Sequence, residues 1–275
     1  MAGTLFLVAT PIGNLEDITL RALRVLREAA LIACEDTRQT HKLLDHYAIP
    51  TAMVSYHEHN ETERAAELLE KLLAGASIAL VSDAGTPLVS DPGYRLVRKA
   101  VENGVRVEPV PGPSASLAAL SASGLPTDAF HFAGFLPARS AQRRKVLQRL
   151  KEEPATLIFY EAPHRILETL EDIEAVLGPR QVVLARELTK IHEEFLRGTP
   201  AELRAARLPL KGELTVLVGK ASEAASGLSD APPIPEAVAG RIGQGMDRMD
   251  AIKAVARERG LSKREVYRLL EAGRE

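Results

Sequence analysis

The chain has 275 residues, 45% of them hydrophobic and 26% charged, with a formal net charge of −2. That is ordinary globular composition with room for two domains and an appendage, and it excludes both a disordered chain and a protein coated in positive charge that would bind nucleic acid indiscriminately. The single cysteine, Cys34, excludes an intrachain disulfide or a cysteine-cluster zinc site. Together with the lack of an apolar run near ~18 residues and of a basic N-terminal leader, it sets the expectation of a cytoplasmic protein with no membrane association.

Thr4 to Ala9 is an apolar run of the kind a strand buried on both faces requires, and it ends in the loop Thr10-Pro11-Ile12-Gly13-Asn14. Ile18, Ala22, Leu23, Val25 and Leu26 recur at helical spacing, with Asp17 or Thr19 available as the cap. Leu31 to Cys34 repeats the strand signal, runs into Glu35-Asp36-Thr37-Arg38, and is followed by a helix over His41 to Tyr47. Asn60 to Ala74 is a helix with Asn60 as N-cap, Glu63 three residues on and Gly75 as the stop. Ile78 to Val81 is a strand that feeds Ser82-Asp83-Ala84-Gly85-Thr86-Pro87-Leu88-Val89-Ser90-Asp91-Pro92-Gly93. Two glycines, two prolines and two aspartates in twelve residues make this loop a device for presenting backbone.

A helix from Tyr94, a strand over Val105 to Val110, the loop Val110 to Ser116 and a small-residue helix over Ala115 to Ser123 complete the first set. Strand, loop and helix thus alternate, which predicts a parallel sheet covered by helices. Beyond Leu125-Pro126 the pattern changes. Strands are expected at Phe130 to Phe135, Thr156 to Tyr160, Gln181 to Arg186, Glu193 to Arg197 and Leu214 to Val218. Helices are expected at Ala141 to Leu150 and Ile166 to Leu177. Some of these strands have no helix between them, so antiparallel pairing and a mixed sheet are expected.

The fold class is therefore α/β, with two α/β domains at 1–124 and 125–221. A linker rich in Ala, Ser, Gly and Pro follows at 222–235, and a helix-turn-helix-like extension at 236–275 with a capping box of Ser262 and Glu265. From 241 to 275 there are nine Lys and Arg against six Asp and Glu, a mild basic bias.

Three glycine- and proline-rich loops lie at strand ends, where open α/β sheets bind ligands. None ends in Gly-Lys-Ser/Thr, and none has the spaced triple glycine of a dinucleotide fingerprint. His57-Glu58-His59 lacks a third ligand at a recognisable spacing, so a polar loop is expected there and no metal requirement.

The order of motifs resembles the bacterial ribosomal small-subunit RNA 2′-O-methyltransferase I family, within the tetrapyrrole methylase-like fold. The motifs are Ala9 to Leu15, Glu35 to Arg38, Ser82 to Gly93, Val110-Pro111-Gly112-Pro113, Gly134-Phe135-Leu136-Pro137, Tyr160 to Arg165 and Ala185 to Lys190. The wider superfamily has Gly-Asp-Pro where this chain has Gly85-Thr86-Pro87, which points to the ribosomal branch. The resemblance implies S-adenosylmethionine held between two α/β domains of a homodimer, and methyl transfer to a cytidine ribose in the decoding region of small-subunit ribosomal RNA or the 30S subunit. It implies cofactor contacts from Ile12, Asp83, Gly85, Thr86, Val89, Ser114, Ala115, Tyr160, Gly212 and Glu213.

A ribose hydroxyl is a weak nucleophile, and Asp36, Glu187 and Lys190 are the expected catalytic groups near it, a carboxylate taking its proton. Arg38, Arg165, Arg186 and Lys190 are expected to hold phosphates, and so are the basic helix carrying Arg143 and Arg144 and the C-terminal unit. A charge after a strand is as often a solvated tip or an internal pair, such as Arg186 with Glu161. Two other readings compete: a related methylase acting on a tetrapyrrole or a protein, and a ligand-sensing regulator that binds nucleic acid.

Overall fold

The computed structural model describes residues 2–206, 211–221, 234–258 and 263–272. Residues 1–221 form one compact unit and 222–275 a second. In the first unit, β1 (Thr4–Val8), β2 (Leu31–Cys34), β3 (Met53–Ser55), β4 (Ile78–Val81) and β5 (Arg106–Val110) make a five-stranded sheet in the order β3-β2-β4-β1-β5. Every pairing in it is parallel. β3 escapes sequence reasoning because three residues carry no readable period.

Strand alternation decides which helices cover which face. Val8, Ile32, Cys34, Ala79 and Val81 point to one side and pack on α1 (Leu20–Glu28) and α2 (Thr37–His46). Leu5, Ala33, Ile78 and Leu80 point to the other and pack on α3 (Glu61–Leu73) and α4 (Tyr94–Glu102). Fully burying each such Leu, Ile or Val contributes about 1.5–3 kcal/mol. The helices that follow the adjacent strands β1 and β4 therefore lie on opposite faces, and this divergence opens a crevice at the carboxyl ends of those strands.

Capping explains several boundaries. Thr19 accepts from the Ala22 amide to start α1. Asp36 caps α2 and draws its start back to Thr37 from the expected His41. Asn60 does not cap α3 as expected; its side chain bonds to the His57 amide and the Ser55 carbonyl. Glu61 accepts from the Gly93 and Arg95 amides and thereby caps α4 from a distance.

The second sheet has the order β6-β7-β10-β8-β9, from β6 (Phe130–Phe135), β7 (Thr156–Glu161), β8 (Val182–Arg186), β9 (Glu194–Gly198) and β10 (Leu214–Val218). β6 and β7 are parallel and the other pairings antiparallel, the expected mixed sheet. One face packs on α6 (Ser140–Arg149), α7 (Ile166–Leu177) and the short α8 (Pro200–Ala205). The other face presents Ile158, Val183, Ala185 and Leu217 to α5 (Ala115–Ser123) and to Ile12. The small residues of α5 let it pack closely on this face, and Ile12 of the first lobe is buried in the core of the second.

The second unit holds α9 (Ile234–Gly243), α10 (Arg248–Glu258) and α11 (Lys263–Ala272) around Val238, Ile252, Val255 and Val266. α9 includes Ile234 and Pro235, which the sequence reading placed in the linker. The Ser262–Glu265 capping box lies outside the described residues. Among the described residues, no helix is long and apolar enough to cross a membrane.

Candidate active site

The three glycine- and proline-rich loops meet through backbone. Thr10 and Gly85 donate to each other's carbonyls at 2.9 and 3.0 Å, an isolated antiparallel bridge between the first and second loops. The Thr86 hydroxyl donates to the Pro113 carbonyl at 3.2 Å and ties the second loop to the third. The Asp36 amide donates to the Asp83 carboxylate at 2.9 Å, which brings the β2–α2 turn to the same place. Gly85 has φ +82°, and Leu88 and Ser90 also hold positive φ at +71°. Side-chain-bearing residues seldom occupy that region, and two of the five among the described residues that do, Leu88 and Ser90, lie in this loop, with Glu187 and Thr189 in the turn after β8.

Below these loops lies a cavity of about 500 Å³ between the lobes, within the usual size for a small-molecule site. Ile12, Asp83, Gly85, Thr86, Val89, Ser114 and Ala115 line it from the first lobe and α5, and Tyr160, Gly212 and Glu213 from the second sheet. All ten residues implied as cofactor contacts are thus brought to one cavity. Ser114 and Ala115 stand at the N-terminus of α5, whose free amides favour a carboxylate.

Sequence reasoning missed three of the cavity's carboxylates, Glu35, Asp91 and Glu161, the last of which is paired with Arg165 and Thr169. Burial, then the neighbouring Glu35 charge, pushes the Asp91 carboxyl up to about 6, with Asp83 adding to the effect and a Ser82 hydrogen bond opposing it. Burial and Asp83 raise Glu35 as well, and His57 partly offsets them. Glu35, Asp83 and Asp91, which interact with one another, and Glu161 and Glu213, which also line the cavity, make it a place for positive charge. The readable signal was an acid in each of two strand-end loops; their proximity follows from β2 and β4 being neighbours in the sheet.

The three expected catalytic groups do not line the cavity. The Asp36 carboxylate accepts from the Arg38 amide and guanidinium, and these bonds hold it down at about 2. The Glu187 carboxylate accepts from Lys190 Nζ and the Glu213 amide, both at 2.9 Å, and is also lowered. Lys190 is drawn down by burial, but Glu187 and Glu213 outweigh this and keep it charged. Asp36 is thus bonded to Arg38, and Glu187 and Lys190 to each other and to Glu213. Gly212 at φ +88° belongs to this latch, because a Cβ there would lie 2.5 Å from the Glu187 carboxyl. The Thr189 hydroxyl accepts from the Asn14 amide at 3.0 Å and so fastens the second lobe to the first loop.

The expected phosphate-binding arginines divide sharply. The Arg38 side chain is 87% exposed on its Asp36 partner, and that of Arg144 is 48% exposed. Arg165 bonds Glu161 and the Leu136 carbonyl, and Arg186 bonds Glu194, in place of the suggested Arg186–Glu161 pair. Arg143 is fully buried, with Nε 2.6 Å from Asp172, and has no face for a phosphate. Its position on α6 turns it inward toward α7, where Asp172 accepts from Ser140, Arg143 and Arg144 together. Among the described residues, no group of three His, Cys, Asp or Glu is placed to hold a metal ion.

The family model for tetrapyrrole (corrin/porphyrin) methylases matches residues 4–204. The ribosomal RNA small subunit methyltransferase I of Halalkalibacterium halodurans is 50% identical over 97% of this chain and 94% of that one, and its Mesorhizobium japonicum counterpart is 51% identical over 97% and 90%. The chain belongs to the ribosomal RNA small subunit methyltransferase I family of tetrapyrrole methylases. Other branches share the fold at low identity. A diphthine synthase structure aligns with TM-score 0.64 at 17% identity, over 79% of this chain and 90% of that one. A uroporphyrin-III C-methyltransferase from Thermus thermophilus, complexed with S-adenyl homocysteine, aligns with TM-score 0.54 at 24% identity, over 81% and 100%.

Proposed function

We propose that the chain methylates small-subunit ribosomal RNA at the 2′-oxygen of a cytidine ribose, with S-adenosylmethionine as the methyl donor. The single observation that carries this reading is the convergence of three glycine- and proline-rich loops and the carboxylate cluster of Glu35, Asp83 and Asp91 on one interlobe cavity, in a chain about half identical to the named ribosomal methyltransferases.

The residues fit the donor. Its adenosine and amino-acid groups need close backbone approach, which the missing side chain of Gly85 permits, and hydrogen-bond partners, which Thr86 and the Ser114–Ala115 helix start supply; its sulfonium needs negative charge, which Glu35, Asp83 and Asp91 supply. When bound, S-adenosylmethionine provides a methyl group for in-line transfer to the acceptor oxygen, the carbon–sulfur electron pair leaving with sulfur. The two lobes hold the ribose oxygen in line with that methyl, and most of the acceleration comes from this positioning. The hydroxyl proton goes to a carboxylate, and Asp91 is the one suited to it. It lines the cavity, its carboxyl is held near 6 by burial and by Glu35 when no cation is bound, and a bound sulfonium keeps it ionised and so able to accept a proton.

Arg38 and Arg144 face solvent and are the phosphate contacts of this scheme, joined by the C-terminal helices. The lobes correspond to domains 1–124 and 125–221, the active form is a homodimer, and the setting is the cytoplasm. Incubating the protein and radiolabelled S-adenosylmethionine with 30S subunits, naked ribosomal RNA, duplex DNA and a tetrapyrrole tests the assignment. Label in the 30S subunits or the RNA supports it, and label only in the tetrapyrrole, or duplex binding without turnover, overturns it.

A further inference from the structure

β6 contains three phenylalanines, and the last two, Phe132 and Phe135, are three residues apart. In a regular strand residues at i and i+3 point to opposite faces. Here both rings pack edge-on against Tyr160, Phe132 with its centroid 4.9 Å away and Phe135 at 5.5 Å. An irregularity in the strand makes this possible. The register against β7 shifts between Phe132 and Phe135, and Gly134 within the shift has φ +65°. Such bulges re-aim a side chain next to a site. The bulge also abuts the central loop, since a Cβ on Gly134 would lie 3.3 Å from Ser90 Oγ, beside Asp91.

The re-aimed ring lines the cavity yet is 61% exposed. Phe132 and Tyr160 are more buried and support it from within. A phenyl face propped on two other aromatic rings, open to solvent at the mouth of a cavity, suits a flat apolar partner that arrives from outside. In RNA that partner is an unstacked base, because bases are recognised by stacking on aromatic side chains once they leave the helix.

Resting on the ribosomal RNA reading above, we propose that Phe135 is the platform on which the target nucleobase stacks while its ribose is held at the cavity. The occupant is the nucleobase and not the cofactor's adenine, because Phe135 is the most exposed of the three packed rings, whereas Gly85, Thr86, Ser114 and Ala115, which hold the cofactor in this reading, line the cavity from the first lobe and α5.

The test compares wild type, Phe135→Leu and Phe135→Trp in steady-state methylation of 30S subunits, with S-adenosylmethionine affinity by calorimetry and molecular mass by sedimentation. Phe135→Leu is expected to lower kcat/KM for 30S by roughly ten- to hundredfold, the loss of one stacked base. Cofactor affinity and mass stay unchanged, and Phe135→Trp restores most of the rate. Wild-type kinetics in Phe135→Leu would overturn the proposal. So would an equal loss of cofactor affinity, which assigns the ring to the cofactor, or a change in mass, which assigns it to a subunit contact. A wild-type protein inactive on both 30S and naked RNA would remove the ribosomal reading itself, and this inference with it.

Discussion

Thr10 and Gly85 satisfy each other's backbone N–H and C=O groups at 2.9 and 3.0 Å, so the first and second cavity loops are held as one piece. Gly85 does this at φ +82°, with its missing Cβ directed 3.3 Å from Ile12 Cγ2. A β-branched residue there faces a left-handed backbone cost of about 1–2 kcal/mol plus that contact. Gly85→Val is expected to weaken S-adenosylmethionine binding by about tenfold or more while changing affinity for RNA less. Calorimetry of both ligands checks this, and unchanged cofactor affinity would free the loop of that role.

Asp91 makes stability depend on pH in a definite direction. Its carboxyl titrates near 6 in the fold against 3.8 as its ordinary value, so the folded state holds the proton more tightly than the unfolded chain. The contribution to stability is full below about pH 3.8 and is lost as pH rises through 6. Asp91→Asn should therefore melt higher than wild type at pH 8, by on the order of 1 kcal/mol once solvent screening of a half-buried group is allowed for. The difference should vanish near pH 4. A cation entering the cavity also expels that proton, so calorimetry at pH 6 in buffers of differing ionisation enthalpy should reveal proton release on S-adenosylmethionine binding.

Proton acceptance separates the two aspartates. Asp36 is bonded to Arg38 and held at about 2, so Asp36→Asn, which keeps the helix cap, is expected to leave the single-turnover rate nearly intact. Asp91→Asn is expected to slow it by about a hundredfold or more, the usual contribution of a general base. Rapid-quench methylation of 30S subunits distinguishes them, and the reverse order of effects would return the role to Asp36.

Arg143 and Arg144 are neighbours with opposite duties. Arg143→Ala leaves the buried Asp172 short of a partner and should cost about 3 kcal/mol in urea unfolding, the scale of breaking a buried ion pair. Arg144→Ala removes an exposed guanidinium but also one donor to Asp172, so it should lower the unfolding midpoint less than Arg143→Ala does and should weaken binding to 30S subunits, with a salt dependence shallower by about one charge. Equal effects of the two substitutions on the midpoint would contradict this division.

Much of the site could be read from residue types, because backbone-presenting loops announce themselves through Gly85, Pro87, Gly112 and their neighbours, and the strand–loop–helix alternation places them at one sheet edge. Side-chain partnership was harder to read. Arg143-Arg144-Lys145 looks like a solvated basic face until Asp172, on another helix, is known to lie under Arg143. Glu35 and Asp91 gain their shared character only when β2 and β4 pair. Phe135 is placed wrongly by simple strand alternation, because a bulge at Gly134 resets the face. Asp36 and Glu187 stand in a list of charges without partners, and only the fold pairs them with Arg38 and Lys190.

The most direct measurement of the central claim is the chemical position of the transferred methyl group. 30S subunits treated with the protein and S-adenosylmethionine are stripped to RNA and subjected to alkaline hydrolysis, in which cleavage after a nucleotide requires its free 2′-hydroxyl. The expected result is a single new gap in the cleavage ladder at one cytidine, absent when Asp91→Asn replaces the wild type. Incorporation of methyl label with an unbroken ladder would place the group on a base, and would contradict ribose methylation.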